Sequence, residues 1–443
     1  MDIKKNLKII NLIDILKINN GKSNCDIDIL KNELNRIDDF GNKIYDVSVK
    51  ENDEFIMIYS NNIYNVHSHP QSLVFNIENE LKSCIIDKNN LEPVITMFNK
   101  IIYNQNAINY LQYINNWSDV TVSECYSGTV LMIYNHNNKW YVSTRTCLDA
   151  SLSNWNKNKS HRQMFDDAIY PKKIEDMNPE HCYFFILMHD TNGVISMPIK
   201  EKVILHMVVK KDTFEQCDIN EYKDIYALPK LEKCDNIKEL MFLLEKINRD
   251  NIENRKITTE GLIIKIKQNG FVTILKLDTE IYFRLRCLMG NFNNKYVTYI
   301  NIYKNNGLHY FFDAIGCEYE KKMKIIKKID NIFKTLSADI FYLYKETKIK
   351  KNKEIYELLL PTFKKILYDI HSLYLNSENR RNNFSYMNSY VFRNLEPITY
   401  YDIYGYLKYL DTKMLAKVLQ QRYLMKDTSI YINRNNDIFK YFI

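Results

Sequence analysis

Between residues 121 and 145 the apolar and polar positions fall into a clear pattern. Val130-Leu131-Met132-Ile133-Tyr134 is a short apolar run, and Trp140-Tyr141-Val142-Ser143-Thr144 is rich in strand-forming residues. Asn135-His136-Asn137-Asn138 between them is turn chemistry, so the stretch predicts two strands joined by a turn. The preceding residues, Glu124-Cys125-Tyr126-Ser127-Gly128-Thr129, read as a loop feeding the first strand. Upstream, residues 1–50 carry Leu7, Ile9, Ile10, Leu12, Ile13, Ile15 and Leu16 at helical spacing and predict a helical segment with a break near Asn19-Asn20-Gly21. Residues 54–59, 72–77, 82–87 and 93–98 are short strand-like runs divided by polar breaks.

Further along, residues 160–170 predict a helix, 182–188 a continuous apolar strand, and 192–196 and 202–209 two more strands. A helix over 236–250 is followed by a hairpin over 257–267 and 271–276, turned at Gln268-Asn269-Gly270. From residue 319 the period is helical. Ile329, Ile332, Phe333, Leu336 and Ile340 make one stripe, Pro361 starts a second helix, and Asp411-Thr412 caps a third. The expected organisation is an N-terminal helical segment (1–50), a sheet-rich domain (51–300) and a helical C-terminal domain (319–443).

Composition narrows the class. The chain has 443 residues, 46% of them apolar and 13% aromatic, which suits two or three globular domains and excludes a disordered chain. The use of 34 Tyr against 10 Gly and 8 Pro looks like an AT-rich coding sequence, as in large DNA viruses and some protists. Nine scattered Cys, no C-x-x-C pair and no long apolar segment at the N-terminus imply reduced thiols, a cytoplasmic setting and no structural zinc. No run of 18 apolar residues is present, so no membrane span is expected.

Net charge is +7, unevenly spread. Residues 319–443 hold 23 Lys and Arg against 13 Asp and Glu, and the rest of the chain 38 against 41. The basic helical part suits a polyanionic partner such as RNA, and it equally describes a plain solvated surface. His67-Ser68-His69 has the spacing of a metal-binding pair on a strand, but no third ligand is evident and a surface loop is the reading. The oligomeric state is not legible.

Three pieces in order carry candidate chemistry: the loop 124–129 with Arg145 after it, then Glu260-Gly261-Leu262-Ile263-Ile264-Lys265, then Lys276-Leu277-Asp278. They resemble the motifs of the nucleotidyltransferase superfamily, the ATP-dependent DNA and RNA ligases and the mRNA capping enzymes. These carry K-x-D-G-[ST], then E-G-[LV]-[IV]-[IV]-K, then K-x-K. Ser83-Cys84-Ile85-Ile86, then Pro93, Phe98, Lys100 and Asn104, resemble a C-R-G-I strand and its sequel in phage-type RNA ligases, with Ser83 and Cys84 where that family has Arg and Gly. Phe185 and Asn192 match a further motif, with Ile186 in place of its Glu. The chain also looks like ligase-like proteins of large DNA viruses.

The resemblance implies an α+β fold: an antiparallel-sheet, ligase-like, ATP-grasp-type core followed by an all-helical domain. It implies ATP and Mg as cofactors and RNA as partner. It places Cys125 where the family's catalytic lysine stands, with Gly128, Arg145, Glu260 and Lys276 as nucleotide-binding residues and Glu260 also as a metal carboxylate. In that chemistry a neutral amine attacks the α-phosphate, cations neutralise the phosphate, and a glycine lets the loop approach the nucleotide.

Cys125 is not an equivalent nucleophile, because a phosphorothiolate is labile where a phosphoramidate persists. Asp278 replaces the second Lys of the last motif. At contact distance its repulsion of a phosphate is about 4 kcal/mol at an effective dielectric of about 20. On the residues alone, Cys125 is also a small buried hydrophobe, Glu260 a strand-edge residue and Arg145 a surface residue. Three functions follow: an RNA- or nucleotide-binding pseudoenzyme, which the missing lysine favours; an active divergent RNA ligase with a relocated lysine, Lys139 or Lys265 being examples; or a structural or interaction protein.

Overall fold

The strand-like runs of the first half pair into three sheets among the described residues. The computed structural model describes residues 3–19, 27–41, 43–61, 82–97, 101–154, 159–188, 202–268, 271–290, 292, 294–385, 398–425 and 436–442. They fall into two compact units, Met1–Arg284 and Leu285–Ile443. The fold is α+β, with sheets in the first unit and helices in the second.

In the first unit, α1 (Lys8–Asn19) and α2 (Ile27–Leu34) lead into β1 (Val47–Glu51), β2 (Phe55–Ser60), β3 (Cys84–Asp87) and β4 (Pro93–Thr96), an antiparallel four-stranded sheet in that order. β5 (Ile102–Tyr103), α3 (Asn104–Leu111) and β6 (Val120–Cys125) follow. Next come β7 (Thr129–His136), β8 (Lys139–Thr144), α4 (His161–Ile169), β9 (His181–Leu187) and β10 (Val203–Lys210), whose strands form a second sheet in the order β10-β9-β7-β8. β11 (Leu231–Glu232), α5 (Ile237–Glu253), β12 (Gly261–Gln268) and β13 (Phe271–Asp278) complete a third sheet, β11-β6-β12-β13-β5.

The apolar runs are explained by what covers each face. Leu131 and Ile133 of β7 pack with Met164 and Phe165 of α4, while Met132 and Tyr134 pack on the other face with residues of the first sheet, so the strand is apolar throughout. β12 alternates instead. Leu262, Ile264 and Ile266 pack under α3 and α5, which turns Gly261, Ile263 and Lys265 to the opposite face.

The loop expected over 124–129 is shorter than the local pattern indicates. Val120–Cys125 is a strand, paired residue by residue with β12, Cys125 opposite Gly261. Its partner lies far along the chain, so local turn chemistry does not reveal it. The expected strands at 72–77 and 192–196, and the His67-Ser68-His69 pair, lie outside the described residues.

The elements of the second unit among the described residues are helices: α6 (Glu280–Met289) continues into it, then α7 (Lys295–Lys304), α8 (Leu308–Ala314), α9 (Tyr319–Tyr344), α10 (Lys353–Leu358), α11 (Pro361–Ser385), α12 (Tyr400–Tyr409) and α13 (Thr412–Leu424). Ile329, Ile332, Phe333, Leu336 and Ile340 are buried, as their spacing predicts. Asp411 caps α13 by accepting from the amides of Lys413 and Met414.

Candidate functional site

Strand register assembles the site. Gly261 lies opposite both Cys125 on β6 and Asp278 on β13, and Ile263 lies opposite Lys276. Cys125, Glu260, Lys276 and Asp278 therefore meet at one end of the third sheet, all of them buried. The amide of Glu260 donates to the carbonyl of Cys125 at 2.8 Å, and the Cys125 thiol lies 3.6 Å from Glu260 Oε2.

These groups are occupied by one another. Lys276 Nζ pairs with Glu260 Oε2, and with Asp278 Oδ1 at 3.1 Å. Tyr282 OH donates to Glu260 Oε1 at 2.6 Å, and the Ser127 hydroxyl also bonds to this carboxylate. Asn104, held in the left-handed region at φ 47°, donates to Asp278 Oδ2 at 3.0 Å and accepts from the Asp278 amide at 2.8 Å.

Electrostatics follow from that packing. Burial opposes charge on Glu260, but the attraction of Lys276 and hydrogen bonds from Lys276, Tyr282 and Ser127 hold its carboxyl below the ordinary value. Burial likewise opposes charge on Lys276, and Cys125, Glu260 and Asp278 hold its ammonium well above the usual range. Burial pushes the Cys125 thiol up to about 12 against the pull of Lys276. Cys125 is thus a neutral thiol at physiological pH.

The two glycines have packing roles. A Cβ on Gly128 would lie 2.5 Å from the Leu187 carbonyl oxygen and 2.6 Å from Ile186 Cγ2. A Cβ on Gly261 would lie 1.9 Å from the Leu277 carbonyl oxygen. Arg145, just beyond β8, donates from Nη1 to the Ser60 carbonyl at 3.0 Å, and its guanidinium lies 5.8 Å from the centre of the Tyr59 ring.

Of the lysines singled out in the sequence, Lys139 sits on the exposed hairpin, 3.9 Å from Glu54. Lys265 points to the same face of β12 as Ile263 and donates to the His206 carbonyl at 3.3 Å, and burial lowers its amine to about 8. It borders a cleft of about 630 Å³ also lined by Thr121, Ser123, Lys267 and Asp218.

One residue escaped sequence reading. Lys82, two residues before β3, is partly buried. Burial, then Arg145 and Lys276, push this amine down to about 7. His206 on β10 is held well below its usual value by burial first, then by the charges of Lys265 and Lys82. The only local signal was position, next to the Ser83 and Cys84 that stand where phage-type RNA ligases have Arg and Gly.

Magnesium does not fit Glu260 in this arrangement. Tyr282 takes Oε1, and Lys276 and Cys125 take Oε2. No group of three or more His, Cys, Asp or Glu side chains among the described residues is placed to hold a metal.

No protein-family model matches the sequence, and no curated protein does. Solved structures similar to this chain include an archaeal ATP-dependent RNA ligase in two forms. Form 1 is 14% identical with a TM-score of 0.43, over 72% of this chain and 82% of that one. Form 2 is 14% identical with a TM-score of 0.39, over 64% and 74%. A putative ATP-dependent DNA ligase from Aquifex aeolicus is 12% identical with a TM-score of 0.38, over 66% and 76%. Likeness of this degree is slight.

Proposed function

We propose that the first unit is a ligase-like, nucleotide-binding unit that forms no adduct at Cys125, the position where the sequence resemblance puts a catalytic lysine. The observation that carries this is the closed cluster: a protonated thiol beside a Lys276 clasped between Glu260 and Asp278. With the thiol at about 12, its thiolate fraction at pH 7 is on the order of one in 10⁵. Reading the nucleotide as ATP rests on the order of the sequence motifs.

RNA as the partner rests on the basic excess of residues 319–443, with Lys321, Lys324 and Lys327 exposed on α9. A cytoplasmic setting, in a host cell or a virion, goes with this reading on composition alone. A second reading, nucleotidyl transfer through a relocated lysine, is favoured by the surroundings of Lys82.

The test is peptide mapping after incubation of the full chain with ATP and Mg²⁺. The peptide carrying Cys125 is expected unmodified. A nucleotide on Cys125 would overturn the reading.

A further inference from the structure

The residues after β10 turn back along it. The Lys210 amide donates to the Glu215 carbonyl and the Cys217 amide to the Val208 carbonyl, both at 2.9 Å, so ladder bonds hold the backbone that carries Cys217. His181, at the start of β9, lies opposite Lys210. Cys217 Sγ thus comes to 4.0 Å from His181 Nε2, while His181 Nδ1 is bonded to the Tyr222 hydroxyl at 2.8 Å. A sulfur, an imidazole beside it and a third group that orients the ring are the parts of an activated nucleophile. The sulfur contact is loose, as nucleophile–base contacts often are before the proton moves. None of the three residues belongs to the motifs that resemble those of ligases.

Cys217 is half-exposed and lines the cleft of about 630 Å³ beside Lys265, a volume within the range of small-molecule sites, about 300–1,000 Å³. Thr121 and Ser123 of β6 and Lys265 and Lys267 of β12 line it from the third sheet, their alternate positions setting them on one face. Asp119 and Asp218 line it too. Cationic and anionic groups in one cleft suit a ligand that carries both carboxylates and an ammonium, and the thiol in its wall suits one that also carries sulfur. The cleft is separate from the Glu260 cluster. Lys265 pairs with Thr121, four residues along β12 from the Gly261–Cys125 pair and about 13 Å away.

We propose that this cleft binds a small acidic peptide disulfide and that Cys217 exchanges with it to form a mixed disulfide. The inference stands apart from the nucleotide-binding reading.

Burial pushes the Cys217 thiol up, against the pull of Lys210, so the sulfur is protonated at rest and its proton must leave as it attacks. In the step, with Nδ1–H donating to the Tyr222 hydroxyl, His181 Nε2 takes that proton as Sγ bonds to one sulfur of the disulfide. The sulfur–sulfur bond breaks, its electron pair leaves on the other sulfur, and the imidazolium returns the proton to that thiolate. The products are the mixed disulfide and one free peptide thiol, so one disulfide is exchanged for another. An acyl substrate fits less well. The amide of the nucleophile, a usual donor to an oxyanion, is engaged with the Val208 carbonyl.

The experiment incubates the reduced full chain near neutral pH with glutathione disulfide or with uncharged 2-hydroxyethyl disulfide, then reads intact mass and maps peptides over time. Lys267→Met, the double variant Lys265→Met/Lys267→Met and His181→Gln are run beside it, with tryptophan fluorescence to check that each is folded. The expected result is glutathione on Cys217 at least about 10-fold faster than on exposed Cys287. Loss of both lysines slows this reaction at least about 10-fold and does not slow that with the uncharged disulfide. His181→Gln slows both at least about 10-fold. Glutathione reacting with Cys287 as fast as with Cys217 would overturn the proposal, and so would a Cys217 rate that both lysine variants leave unchanged.

Discussion

Replacing Lys276 with Met removes a cation that contacts both Glu260 and Asp278, and leaves two buried carboxylates. At 3.1 Å and an effective dielectric of about 20, the Lys276–Asp278 attraction alone is about 5 kcal/mol before desolvation. Breaking a buried pair from one side costs about 3–5 kcal/mol net, because the partner's charge stays behind. Lys276→Met should lower the stability of the first unit by that amount at pH 7.

The pH dependence gives a sharper signature. In the wild type Glu260 lies below its unfolded value of 4.5, so its contribution is present above 4.5 and is lost as pH falls through the lower folded value. Lys276 is raised above 10.5, so its contribution is present below 10.5 and is lost as pH rises through the folded value. Between those limits the pair's contribution is constant. In the variant, burial acts without a counter-charge and lifts Glu260 above 4.5, so the folded form takes up a proton and the deficit shrinks from pH 7 towards about pH 5. Adding Glu260→Gln should recover part of the loss.

The assay is urea denaturation followed by tryptophan fluorescence, which reports on the first unit because Trp117, Trp140 and Trp155 are the chain's only tryptophans. A deficit under about 1 kcal/mol that is flat with pH would refute the reasoning, since that is how an exposed pair behaves.

Other expectations follow from single contacts. Gly128→Ala should destabilise the first unit by about 1–3 kcal/mol in the same assay, since its Cβ meets the Leu187 backbone. An unchanged midpoint would mean the loop has room. In alkylation at pH 8 with peptide mapping, Cys125 should stay unlabelled while exposed Cys287 reacts; equal rates would contradict a buried thiol at about 12. Lys82 at about 7 binds its proton less well when folded than when unfolded, so its contribution to stability rises from pH 7 towards 10.5. Lys82→Met should therefore gain on the wild type at pH 7, and the gain should shrink as pH rises and vanish above about pH 10.5; a difference independent of pH would count against the burial of this amine. RNA binding should weaken at least about tenfold between about 50 and 200 mM salt, and an affinity indifferent to salt would remove the basic helices from the account.

What could be read in advance was what neighbours in sequence decide. The 130–144 hairpin, the stripe at Ile329–Ile340 and the Asp411 cap each rest on a contiguous pattern, and the structure contains all three. Cys125, Glu260 and Lys276 were singled out through ordered motifs, and the strand register brings them together.

Long-range pairings were not legible. Residues 120–125 became a strand because β12 lies beside them. Asp278, read as a negative charge facing a phosphate, is instead held by Lys276 and by Asn104 from the start of α3. Gly128 was read as room for a nucleotide, yet the backbone of β9 already fills the space beside it.

The most direct test of the central claim is calorimetric titration of ATP into the folded full chain. A single saturable site is the predicted result. Absence of saturable binding, with the chain shown to be folded, would contradict the account.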